Sequence, residues 1–195
     1  MNWTAESISL VSHLILIVSF WQKKATRIFL LQIISLIVFI VYLLVLDPGQ
    51  IVFLVSCAVA LTRNIALYFY RKADKVPPVP LLLLFLCIIS AVFFIYLDDW
   101  IDVIPALLTL MYTYSCFYGS PFQIKIVGGV IQGIGHVLLF SLMFAPVALV
   151  FNAAILIGTV GGLIYDELVT KKKAIKEEVA CMIEESRKEQ IEASP

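Results

Sequence analysis

Seven long apolar runs divide this chain, separated by short polar breaks. They fall at roughly 4–21, 28–46, 51–70, 79–97, 102–118, 126–144 and 147–165. A helix crosses the hydrocarbon of a bilayer in about 20 apolar residues, and each run is close to that length. The pattern predicts an all-α polytopic membrane protein with seven transmembrane helices. Polar residues inside the runs recur at three- and four-residue spacing. Gln32, Ser35, Phe39 and Tyr42 share one face of the second run, and Ser56, Ala60, Asn64 and Tyr68 share one face of the third. Thr109, Thr113 and Cys116 do so in the fifth, and Asn152, Thr159, Gly162 and Asp166 in the seventh. Such stripes face protein rather than lipid, as packing contacts or as the lining of a hydrated cavity.

Charge orders the runs. Lys23, Lys24 and Arg27 occupy the first break, Arg71, Lys72 and Lys75 the third, and Lys125 the fifth. Lys171, Lys172, Lys173, Lys176, Arg187 and Lys188 lie in the tail. The intervening breaks hold Asp47, Asp98, Asp99 and Asp102 and no basic residue. Basic residues mark the cytoplasmic side, so the bias predicts an odd number of spans, the N-terminus outside and the C-terminus in the cytoplasm. Composition agrees: 62% of the 195 residues are hydrophobic and 14% are charged, too few charges to solvate a soluble domain. The first run does not read as a cleavable signal, because Glu6 stands where a basic segment is expected. Net charge is zero, which gives no reason to expect a nucleic-acid partner.

Seven spans divide as three, one and three. Two three-helix units can then run parallel with the fourth helix as an inverting linker, a 3+1+3 parallel repeat of the kind found in small carriers. Gln32 and Gln132 stand at matching places in the second and sixth runs. The fourth run carries only Cys87 and Ser90 as breaks in its apolar surface and should be peripheral. Gly128, Gly129, Gly133 and Gly135, then Gly158, Gly161 and Gly162, predict close packing of the last two helices. Residues 1–165 form the expected transmembrane bundle, and 166–195 a charged cytoplasmic helical tail.

Arg63 is the one basic residue inside an apolar run. A central arginine costs about 2.5–3.5 kcal/mol on insertion scales. Two dispositions are open: the side chain snorkels to the headgroups about 10 Å away, or it faces the bundle and meets an anionic ligand or a partner side chain. Asp166 is the acidic residue on the same side. The substrate-binding candidates are Gln32, Arg63, Asn64, Gln132 and Asn152, and the proton-coupling candidates are His13 and His136, near mid-span in the first and sixth runs. Two histidines without a third ligand make a poor metal site, so no metal is expected. Asp98-Asp99-Trp100-Ile101-Asp102 spells D-D-x-x-D, but it lies in an outer break without a second acidic motif. Cys57, Cys87, Cys116 and Cys181 have neither metal nor redox spacing. No nucleophile elbow, phosphate loop, H-E-x-x-H or dinucleotide fingerprint is present, so neither an enzyme, a catalytic residue nor a cofactor is expected.

Gln22-Lys23-Lys24, Arg27-x4-Gln32, the turn Asp47-Pro48-Gly49 and Arg63-Asn64 together resemble the YgjV-type bacterial inner membrane proteins. The resemblance covers about the first seventy residues and continues by topology alone. An aromatic-rich stretch with an arginine would match in the second half, where Gln132 and His136 stand instead. It implies a small polytopic protein of the bacterial cytoplasmic membrane with a layout similar to SWEET-like folds, and supplies no substrate. The function expected is a small-solute carrier with a midplane site between the two three-helix units. The alternative is a membrane scaffold or regulator acting through its tail. The expected partners are the lipid bilayer, a small-molecule solute and, in a homo-oligomer, further copies of the chain.

Overall fold

The computed structural model describes residues 3–46, 51–96, 103–142, 149–170 and 172. Seven helices form among them. These are α1 (Trp3–Phe20), α2 (Ala25–Leu46), α3 (Ile51–Lys72), α4 (Val79–Tyr96) and α5 (Val103–Tyr118). The sixth, α6, runs through Pro121–Lys125, a π-helical stretch Ile126–Ile131 and Gln132–Leu142. The seventh, α7, is Leu149–Thr170. At 1.5 Å per residue the 22-residue helices α2 and α3 are about 33 Å long. Within the described residues, Ala25–Val45 and Leu149–Thr170 are long and apolar enough to cross a membrane, and Ser7–Phe20, Val79–Ile95 and Val103–Tyr118 are shorter apolar helices.

The breaks between helices are sharp, and their chemistry explains them. Asp74 takes a left-handed conformation (φ 51°) just past α3. The Lys75 N–H then reaches the Tyr70 carbonyl and the Asp74 N–H reaches that of Arg71, the paired bonds of a Schellman cap. Pro77 and Pro78 follow and prevent the helix from continuing. Between α5 and α6 only Gly119 and Ser120 intervene. Ser120 accepts from the Gln123 backbone N–H, Gln123 accepts from that of Ser120, and Pro121 fills the first helical turn. The sixth helix therefore begins at Pro121 rather than near 126, and Lys125 is a helical residue rather than a loop charge.

Consecutive helices pack side by side and alternate in direction. Ser12 of α1 and Ser35 of α2 each donate to the other's backbone carbonyl at 2.9 Å, which brings the two backbones close. α5 runs parallel to α3, as Arg63 meets Thr113 and Arg71 meets Phe117 and Gly119. α7 runs parallel to α1, with His13 stacked on Phe151, Trp21 donating to the Gly158 carbonyl and Lys23 facing Asp166. α6 is wedged between α5 and α7 by glycines. A methyl at Gly128 would lie 2.2 Å from the Tyr112 ring, and one at Gly129 would lie 2.2 Å from Thr159. Trp21, Lys23, Arg71, Lys125 and Asp166 thus gather at one end of the bundle.

A buried apolar layer sits just inside that end. It contains Ile28, Phe29, Leu67, Cys116, Phe117 and Ile124, together with Leu82 and Phe85 of α4. The fourth helix buries Leu82, Phe85 and Ile89 against this core and leaves Leu83, Leu84, Ile88, Phe94 and Ile95 exposed. α2 likewise exposes Leu30, Ile34, Ile37, Val41 and Leu44, an apolar stripe along its outer face. An outer surface of this kind suits hydrocarbon and would aggregate in water.

Candidate functional site

Above the apolar layer, α2, α3 and α5 enclose a cluster of polar side chains centred on Arg63. Only 3% of Arg63 is exposed. Its Nε donates to Asn64 Oδ1 at 3.2 Å and its Nη1 to Thr113 Oγ1 at 2.8 Å. The guanidinium carbon stands 5.0 Å from the centre of the Tyr112 ring, a cation–π geometry. Asn64 Nδ2 donates to Gln32 Oε1 at 3.2 Å. The Tyr112 hydroxyl lies 2.6 Å from Gln32 Nε2 and 2.8 Å from Gln32 Oε1. Thr113 passes its own proton back to the Thr109 carbonyl. Five side chains from three helices are thereby joined, all of them buried.

The local reasons are legible. Asn64 lies on the stripe of Ser56 and Ala60 and from there reaches Gln32 of the neighbouring α2. Arg63 is one residue, about 100°, further round α3, and its length carries the guanidinium across to α5. Gly128 leaves the gap into which the Tyr112 ring fits. The consecutive Gly128 and Gly129 face Tyr112 of α5 and Thr159 of α7 respectively, and both lie in the π-helical stretch, a feature that recurs at functional sites. Among the described residues no carboxylate pairs with Arg63. Among the described residues the cluster's one positive charge is met by dipoles and by the face of the Tyr112 ring. Chemically it offers a guanidinium edge, amide groups and hydroxyls, a set suited to holding a small anion.

A second polar group lies at the basic end. Lys125, 3% exposed, donates to Asp166 Oδ2, and Lys23 stands 3.9 Å from the other carboxylate oxygen. Asp166 is thereby engaged from α6 and from the α1–α2 turn, so it is not the partner of Arg63. Nearby, Arg71 Nη2 reaches three carbonyl oxygens at the end of α5: Cys116 at 3.5 Å, Phe117 at 3.1 Å and Gly119 at 2.9 Å. A cation is favoured there because the last carbonyls of a helix have no intrahelical donors.

The family model of the Imp-YgjV bacterial inner membrane proteins matches residues 3–170. The chain belongs to that family. The match extends through all seven helices and so takes in the second half, where residue resemblance alone had stopped short. No curated protein and no solved structure matches the chain.

In this Imp-YgjV member the sequence-predicted residues separate into groups. Gln32, Arg63 and Asn64 come together in the α2–α3–α5 cluster. Gln132 is half-buried at the junction where the π-helical stretch ends, and it shares none of the cluster's hydrogen bonds. Asn152 lies on α7, next to Phe151. His13 is half-buried: its Nδ1 lies 2.7 Å from the Ser9 carbonyl, and its ring stacks on Phe151 and meets the edge of Phe39. His136 is half-buried on the Gln132–Leu142 part of α6. Sequence reasoning assigned no role to Tyr112 and saw Thr113 only as a stripe residue. A tyrosine beside a threonine stripe, with an Arg-Asn pair inside another apolar run, was the available signal. The boundary expected between 165 and 166 falls within α7, which continues to Thr170 with Asp166 built into the bundle. The D-D-x-x-D stretch and the tail beyond lie outside the described residues.

Proposed function

We propose that this Imp-YgjV protein is a seven-span carrier for a small anionic solute, not an enzyme. In this reading the N-terminus is outside, the basic end of the bundle is cytoplasmic, and the Arg63 cluster is the solute site. The observation that carries the proposal is the position of Arg63. The cytoplasmic end of α3 is about 14 Å away along the helix, within partial reach of a long snorkelling side chain. Arg63 instead points inward and is buried without a carboxylate partner among the described residues. A buried charge left to dipoles alone is expensive, and an anion would complete it.

The alternating helix directions and the collection of Lys23, Arg71 and Lys125 at one end support the seven-span topology. The cluster's membership supports a site between units, because Gln32, Arg63 and Asn64 belong to the first three helices and Tyr112 and Thr113 to the last three. Its depth is consistent with a site near mid-helix: Arg63 stands about 14 Å from the basic end of α3 and Gln32 about 10 Å into α2, each helix being about 33 Å long.

Ligand-dependent stabilisation tests the proposal. Purified protein is heated with chloride, acetate, lactate or phosphate. A solute at about 100 times its Kd adds about 2.7 kcal/mol to stability. At least one anion should raise the melting temperature of the wild type, less so in Arg63→Lys, which loses the planar fork, and not at all in Arg63→Gln. A wild type indifferent to all four anions, or an Arg63→Gln variant that responds like wild type, would favour the scaffold reading.

A further inference from the structure

Between the two arginines of α3 lies a buried, largely apolar layer. Arg63 meets Thr113 of α5, and Arg71 meets the carbonyls of Cys116, Phe117 and Gly119. Eight residues separate the arginines, about 12 Å along the axis. Leu67 stands between them on α3, Cys116 and Phe117 on α5, and Phe29 and Ile124 close in from α2 and α6. All five are buried to within 1% of full burial. Among the described residues the buried cluster's polar groups are the Tyr112 hydroxyl, which turns to Gln32, and the weakly polar Cys116 thiol, and Tyr68 packs against its edge.

Arg71 itself is not fully explained as a cap. Its Nη2 satisfies the free carbonyls at the end of α5, as a C-terminal cation should. Its Nε, however, is buried and has no hydrogen-bond partner among the described residues. An orphaned buried donor is uncommon and points to a missing acceptor. Asp166, the nearby half-buried acid, is engaged by Lys125 and Lys23. Arg71 also lies seven residues from Asn64, within about 20° of the same stripe. An anion leaving Arg63 toward the basic end would therefore meet the apolar layer first and Arg71 next.

We propose that Arg71 is a second anion contact, lying on the cytoplasmic side of an apolar gate formed around Leu67 and Cys116. This rests on the carrier reading and adds the inner half of its route. An apolar constriction excludes a hydrated anion until it widens. Arg71 holds the end of α5, so an anion that takes up its Nε acts on the helix that carries both Cys116 and the Arg63 partner Thr113.

The test uses Cys116 as a probe and needs no knowledge of the transported solute. The other three cysteines are replaced by alanine, and inside-out membrane vesicles are treated with thiol reagents carrying a sulfonate or a trimethylammonium group. With Leu67 intact, both should react slowly. Leu67→Ala should open Cys116 to the sulfonate reagent, which should react about 10-fold faster than the cationic one, as expected for a cleft of one sign. Arg71→Gln in that background should bring the two rates together, and Arg71→Lys should keep the preference. Size-exclusion profiles in detergent establish that each variant is folded. The gate is wrong if Cys116 stays as unreactive after Leu67→Ala as before. The role of Arg71 is wrong if Arg71→Gln leaves the preference for sulfonate intact. Neither outcome depends on whether any of the four anions stabilises the protein, so failure of the carrier reading remains distinguishable.

Discussion

Replacing Gly128 by alanine tests how the site is held. The added methyl would lie 2.2 Å from Tyr112 Cε2 and 2.8 Å from Cδ2, far inside contact distance. Relief requires that the tyrosine ring or α6 move. The ring is held on its other side by Gln32, through its hydroxyl, and by the Arg63 guanidinium across its face. Overpacking in a filled interior costs about 1–3 kcal/mol. Loss of one buried hydrogen bond adds about 1 kcal/mol. The expected total is about 2–4 kcal/mol, which for a chain of this size lowers the melting temperature by roughly 4–16 °C. Two other glycines serve as controls. A methyl at Gly161 meets nothing within 4 Å, and one at Gly133 meets Leu156 at 3.3 Å. Gly161→Ala should be neutral or slightly stabilising, because alanine is the better helix former, and Gly133→Ala should fall between. Thermal unfolding of the purified variants followed by circular dichroism reads the order. A Gly128→Ala protein that melts within 1 °C of wild type (an uncertainty of about a third of a kcal/mol) would refute the packing of α6 against Tyr112.

Asp166→Asn should lower stability by about 1–3 kcal/mol in the same assay, less than for a fully buried pair because 23% of the Asp166 side chain is exposed. Joint replacement of Lys125 by Met and Asp166 by Leu should recover most of the loss, and no recovery would mean the pair does not hold α6 to α7. On α4, Phe85→Ala should cost about 3–5 kcal/mol, whereas Leu83→Asn, on the exposed face, should change folding in detergent little; equal losses would contradict the outward placement of Leu83. A cysteine at Gln50 should label from outside and one at Lys75 from inside in oriented vesicles. Labelling of both from one side would end the seven-span reading.

Much of the fold was legible because one requirement dominates in a membrane. Apolar runs of fixed length give the helices, and the stripes of Gln32 and Ser35, or of Asn64 and Ala60, point inward as helical periodicity demands. The Arg63–Asn64–Gln32 association could be anticipated from the expense of a guanidinium within an apolar run. Other features depend on three-dimensional closeness that spacing does not encode. Lys125 reads as a loop charge until the Ser120 cap starts α6 one turn earlier and buries it against Asp166. Gly128-Gly129 suggests close packing, but not the π-helical stretch in which both lie, nor that one faces Tyr112 and the other Thr159. Gln132 matches Gln32 in sequence position, yet the π-helical stretch before it has no counterpart in α2, and it does not enter a comparable cluster. Tyr112 becomes a site residue only because α5 lies parallel to α3.

Uptake of labelled anion into liposomes containing the purified protein tests the central claim most directly. Wild-type protein should take up the stabilising anion saturably. Arg63→Lys should raise KM about 10-fold or more, the effect of losing one charge-assisted hydrogen bond of about 1.5–3 kcal/mol. Arg63→Gln, folded by its elution profile, should fall to the level of empty liposomes. Uptake by Arg63→Gln equal to wild type, or no saturable uptake of any small anion by wild type, would contradict the account.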